Sequence, residues 1–271
     1  MSSTSTDPEP IPLVAELWFE EAPDLTNPEL LAGLRSLSPD TQAQQDSITV
    51  PYQATDRNGQ VDGDSAPLVT VVMPSTPLGE SGKQRPDVSQ TWDWGGAEAA
   101  IARGAAGVIV TELLMAGWSP QDRVSALTRV LAELCRLTQP VAIHWAQSQR
   151  VSDPRALAVD DLDGIVNVRF FTVAGDEQAM VLDTLGLHVF GLPDLQCHFR
   201  DREPGKIAGL LYATAVYVFD SGDVIADGNT ISGLDEAERY VCRRETSLLE
   251  PSRVVLDVDL GDPYAAGKRD R

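Results

Sequence analysis

Three histidines, His144, His188 and His198, and three cysteines, Cys135, Cys197 and Cys242, are the side chains of this sequence best suited to proton transfer, nucleophilic attack or metal binding. A hydrolase sets an imidazole beside a carboxylate, and the pairing on offer is His188 or His198 with Asp183 or Asp194. Such a site is assembled by geometry from separated residues, so sequence order alone neither makes nor breaks it. Zinc asks for paired ligands such as C-x-x-C or H-x-x-x-H, and the chain has neither. Cys197 and His198 are adjacent in a strand-like run, where alternation sends them to opposite faces. They therefore neither share an ion nor act as a nucleophile and its base. His144 lies mid-strand, opposite in phase to Ile143 and Trp145, and reads as a packed or half-exposed residue. There is no G-x-S-x-G elbow, and Gly95-Gly96 lacks the spacing and the Lys-Ser/Thr of a phosphate loop. The acidic pairs Glu20-Glu21 and Asp160-Asp161 read as solvated faces in so acidic a chain. No catalytic, cofactor-binding or metal-binding residue is assigned.

Trp92-Asp93-Trp94 is the most unusual local feature. Alternating tryptophans ahead of a helix form either a binding edge or a staple that packs the helix onto its sheet. The Ala-rich helix that follows needs large neighbours, which favours the staple. The cysteines are odd in number and widely spaced, unlike a disulfide framework, and read as reduced, mostly buried thiols.

Forty-one acids against 21 bases give a net charge of −20. A surface of that sign repels nucleic acid and anionic lipid, so neither is expected as a partner. It serves solubility, and it is also fit to capture a basic protein. No apolar run approaches the roughly 20 residues of a membrane-spanning helix. The N-terminus shows no signal-peptide pattern, so the expected compartment is the cytoplasm.

The elements that must position these residues are legible in the hydrophobic periodicity. Leu13–Phe19 reads as a strand, followed by a helix that opens at Asn27-Pro28. Ser47–Tyr52 and Leu68–Met73 read as a hairpin with a long tip containing Asn58-Gly59 and Asp62-Gly63. A short helix over Ala97–Arg103 and a strand at Val108–Thr111 complete a β-α-β-β-α-β order compatible with a ferredoxin-like sandwich. Ser119-Pro120 caps a helix whose stripe is Val124, Leu127, Val130, Leu131, Leu134 and Leu137. Strands follow at Val141–Ala146 and Ile165–Val173, where Val166, Val168 and Phe170 share a face. Met180–Leu185 and Asp194–Phe199 flank the turn GLHVFGLP. Next come a helix from Pro204 to Gly222, an Asp227-Gly228 turn, a strand at Tyr240–Arg243, and a last strand with Val254, Leu256, Val258 and Leu260 inward.

The predicted fold is α+β, in two ferredoxin-like halves with largely antiparallel sheets and helices on one face. Residues 1–11 form a disordered tail, 12–116 and 117–262 the halves, and 263–271 a loose tail.

The segment LDTLGLHVFGLPDLQCHF, the helix after it and VIADGNTISG resemble a bacterial domain-of-unknown-function family, the one numbered four-two-six-one. The shared pattern is Thr184, Gly186 and Leu187, then Gly191, Leu192 and Pro193 up to Leu195, then Asp227 and Gly228 up to Ile231. It covers roughly residues 180–245. The upstream WDWGGAEAAIARGAAGVIVT and LTRVLAELCRLTQPVAIHWAQ look like the region that usually precedes that domain. The resemblance implies a bacterial, cytoplasmic protein and carries over no catalytic residue. Its glycines, proline and Asp-Gly have a structural account as turn formers, with Leu185, Leu187, Leu192 and Leu195 expected to be buried. The function expected is that of a non-catalytic, immunity-type or regulatory partner of a basic protein. A composite His/Asp hydrolase and a structural assembly component are the alternatives.

Overall fold

The computed structural model describes residues 11–52, 68–80, 83–235 and 237–261. The expected terminal tails and the hairpin tip at Asn58-Gly59 and Asp62-Gly63 lie outside these. The chain divides into two units, Pro10–Ile165 and the part from Val166 onward.

The first unit runs β1 (Val14–Phe19), α1 (Pro28–Leu37), β2 (Gln42–Ala43), β3 (Ile48–Tyr52), β4 (Leu68–Pro74), α2 (Ala97–Arg103), β5 (Ala106–Leu113), α3 (Pro120–Thr138), β6 (Ala142–Trp145) and β7 (Arg150–Ser152). Its sheet has the order β2-β3-β4-β5-β1-β6-β7, antiparallel throughout. The helices begin where capping chemistry says they should. The Asn27 carboxamide accepts from the Glu29 amide at 2.8 Å, and Ser119 Oγ accepts from the Asp122 amide at 3.1 Å, each ahead of a proline.

β1 is buried on both faces, which explains why its apolar residues fall in both phases, interrupted only by Glu16. Ala15 and Leu17 lie opposite Val110 and Val108, on the face that also carries Glu112 and α3. Trp18 points the other way, into Ala97, Ala100 and Ile101 of α2. Helices therefore cover both faces, not one: α1 and α3 on one side, α2 on the other. The division also falls at Ile165/Val166 and not near residue 117, because β6 pairs with β1 and β7 with β6.

The second unit runs β8 (Asn167–Val173), β9 (Asp176–Leu185), a 3-10 turn at Leu187–Phe190, β10 (Asp194–Arg200), α4 (Pro204–Ser221), β11 (Thr230–Ser232), β12 (Arg239–Thr246) and β13 (Val254–Asp259). Its sheet order is β11-β12-β13-β10-β9-β8, with β10 and β13 parallel and every other pair antiparallel. A split βαβ keeps its parallel strands apart with an antiparallel one between. Here the parallel strands β10 and β13 are direct neighbours, with α4, β11 and β12 between them in the chain, so this half departs from the ferredoxin-like order.

Two burial patterns differ from the sequence reading. In β8 the buried positions are Asn167 and Arg169, while Val168 and Phe170 are only partly covered. In β13, residues 255–258 are buried on both faces and Val254 is 55% exposed. Arg169 and Asp257 are buried in these strands because Asp183 and Gln196 meet them inside.

Candidate functional site

The turn between β9 and β10 brings together what the sequence keeps apart. Gly186 (φ 145°) and Gly191 (φ 73°) hold backbone conformations that side chains rarely adopt, and between them Leu187–Phe190 closes one 3-10 turn. Leu185, Leu187 and Leu195 are fully buried, as expected, whereas Leu192 is only half-buried. Pro193, also buried, leads into β10.

Asp194, fully buried, sits at the start of that strand and organises the turn. Its carboxylate accepts from Thr184 Oγ1 and the Leu187 amide, both at 3.1 Å. It also accepts from Arg253 Nε at 2.9 Å. His188 Nδ1 stands 3.2 Å from the same carboxylate. Thr184 Oγ1 in turn accepts from the Leu195 amide at 2.8 Å, so its hydroxyl is used in both directions.

Asp183, the register partner of Arg169 across β8 and β9, receives that guanidinium in a two-pronged contact at 2.9 and 2.6 Å. Arg253 Nη2 reaches Asp183 at 2.6 Å and the Thr184 carbonyl at 2.7 Å. One arginine thus links both aspartates, and Arg169, Asp183, Asp194 and Arg253 form a continuous buried network. Beside it Gln196 Nε2 donates to Asp257 at 2.6 Å, and its carbonyl accepts from the Leu248 amide at 2.7 Å. The Asp227-Gly228 turn is tied to β12 by the Gly228 amide on Cys242 O and the Arg244 amide on Asp227.

The structure therefore joins His188 to Asp194 and leaves His198 and Cys197 out of the pair. Cys197 lies opposite Leu182 and His198 opposite Val181 across β9 and β10, on alternating faces. Cys135 and Cys242 are poor nucleophiles: burial pushes the Cys135 thiol up to about 12. Burial, with the Asp257 charge, pushes Cys242 up to about 11. Among the described residues, no group of three or more His, Cys, Asp or Glu is placed to hold a metal ion. A carboxylate-oriented imidazole is fit for general base work. The neighbouring hydroxyl, Thr184, is spent on structure.

A second polar cluster lies in the first unit, on the α2 face of its sheet. Lys83 makes an ion pair with Glu16, donates to Ser75 Oγ at 3.1 Å and stands 5.3 Å from the Trp18 ring centroid. His144 is the register partner of Glu16. Its pKa is lowered, chiefly by burial, with Glu16 opposing and Lys83 assisting. Lys83 thus ties Glu16 of β1 to Ser75, just beyond β4.

Trp92, Asp93 and Trp94 separate. Trp94 packs against the Trp18–α2 cluster, Trp92 is 60% exposed, and Asp93 makes an ion pair with Arg150, which also holds Asp163 at 2.8 Å. The sequence reading did not single out Arg169, Arg253 or Lys83. Arg169 had one signal available, an arginine in the phase opposite Val168 and Phe170.

A family model described as a domain of unknown function, DUF4261, matches residues 183–259. No curated protein and no solved structure matches the chain. The matched segment starts at Asp183 and ends at the last residue of β13, so it takes in Asp183, His188, Asp194 and Arg253. The upstream stretches that resemble the family's usual flank lie outside it.

Proposed function

We propose that this protein works by binding a basic protein, as an immunity-type or regulatory partner in a bacterial cytoplasm, and not by catalysis. One observation carries the reading. Thirteen of the described arginine and lysine side chains are already held in ion pairs within the chain. The net charge of −20 already counts all 21 lysines and arginines, and with these thirteen turned to acids of the chain itself at most eight remain to interrupt the acidic surface. Such a field steers a cationic partner and accelerates its encounter. A tagged copy of the full chain should retain basic proteins from a bacterial lysate at low salt and release them by about 0.5 M salt, where the screening length is only a few ångströms. Retention that ignores salt would remove the electrostatic basis.

The 3.2 Å contact of His188 with Asp194 favours a second reading, a hydrolase with His188 as base. Turnover of ester or amide substrates that disappears in His188→Ala, with the melting temperature retained, would establish it. We also propose that the first unit is an elaborated split βαβ. Its strand order β4-β5-β1-β6, with α1 leaving β1 and α3 joining β5 to β6, supports that assignment.

A further inference from the structure

The outer face of α4 carries features that no contact among the described residues requires. From Ile207 to Phe219 the helix has no charged residue. One side is buried through Ile207, Leu211, Ala215 and Val218, and lies against β9 and β10. The opposite side exposes Gly205, Gly209, Ala213 and Tyr217, four apolar positions spaced one turn apart, with Tyr217 53% exposed. Glycine inside a helix is costly relative to alanine. Among the described residues, a Cβ built at Gly205 or Gly209 would meet nothing within 4 Å, so no described neighbour demands either glycine. Helices that are apolar all round are normally covered, and bare glycines on the open side point to a close approach from outside.

The charges at the rim identify what approaches. Arg202 precedes the N-terminal end of the stripe and Asp220 follows its C-terminal end, both exposed. Neither makes an ion pair among the described residues, although Arg202 feels the nearby charge of Glu238. A surface with a cation at one end, an anion at the other and small and large residues between is complementary to itself reversed. We propose that α4 is the contact of a homodimer, in which two copies of the helix pack antiparallel about a two-fold axis midway between Gly209 and Ala213. That register seats Tyr217 over Gly205 of the second copy and Ala213 over its Gly209. It sets Arg202 opposite Asp220 of the second copy, twice per dimer. An 18-residue helix is about 27 Å long, so the strip belongs with the small, transient interfaces. Dimer formation therefore rises with concentration over the accessible range.

Sedimentation of the full chain, in the absence of any partner, tests this separately from the basic-partner reading. The wild type should pass from monomer to dimer as concentration increases. Gly209→Leu fills the seat, and should weaken the dimer without lowering the melting temperature, since the space around Gly209 is open and leucine favours helix. Asp220→Arg should weaken it roughly tenfold or more by setting like charges face to face. The swap Arg202→Asp with Asp220→Arg should restore it. A wild type that stays monomeric throughout, a dimer indifferent to Gly209→Leu, or a swap that fails to rescue would each overturn the proposal. So would a monomer that binds neutral phosphatidylcholine vesicles through the same face.

Discussion

Asp194 shows how much of the second unit hangs on one buried carboxylate. It is the acceptor for Thr184, Leu187 and Arg253, and it has no exposed surface from which water could replace them. Asp194→Ala leaves the Arg253 guanidinium short of one of its two carboxylates, and breaking a buried pair on one side costs about 3–5 kcal/mol. Urea unfolding should show a loss of that size, partly recovered when Arg253→Met removes the stranded charge. A loss below about 1 kcal/mol, the level of a surface ion pair, would mean that the network is solvated. His144 gives a prediction with a definite sign. Its folded pKa lies below the ordinary value, mainly through burial. As pH falls through about 6.5, the unfolded chain takes up a proton that the folded chain resists, so stability is present above that range and is lost below it. The urea midpoint should fall between about pH 7 and 5.5, and His144→Gln should flatten part of that fall. An equal fall in both proteins would place the acid sensitivity elsewhere.

Elements were legible where one physical signal dominated. The capped starts of α1 and α3, the apolar stripe of α3 and the paired strands around GLHVFGLP follow from capping chemistry and periodicity. What escaped was polar burial. Asn167 and Arg169 occupy the covered face of β8 because Asp183 stands across from Arg169, and alternation of apolar residues cannot reveal a face filled by an ion pair. The same holds for the candidate site: His188 with Asp194 was one of several open pairings, and Arg253 lies 59 residues further along the chain. The leucines of the turn sort by burial. Leu187 is fully buried, so Leu187→Ala should cost about 2–5 kcal/mol. Leu192 is half-buried, and Leu192→Ala should cost only about 1 kcal/mol, as less area leaves water. Equal losses in thermal melts would show that the turn yields as a unit.

At the scale of the whole molecule, the expected junction between halves lies near residue 117, just ahead of the Ser119-Pro120 helix start. The sheet places it elsewhere. β1 is a central strand with β5 on one side and β6 on the other, so the first unit is incomplete until β6 and β7 have been added. A chain cut at 117 loses α3 and exposes the β6 edge of β1, together with Ala15, Leu17 and Trp18 in its buried run. It also leaves Glu112 without Arg123, stranding a buried carboxylate. A cut between Ile165 and Val166 severs no strand pair: every partner of β1 to β7 lies before it and every partner of β8 to β13 after it. Residues 10–165 and 166–271, produced separately, should therefore each melt cooperatively, with dispersed amide resonances. Residues 10–117 should give neither, because burial lost on that scale exceeds the 5–15 kcal/mol that typically separates a folded domain from its unfolded chain. A well-folded 10–117 fragment, or an unfolded 166–271 fragment, would show that the sheets do not mark the folding units.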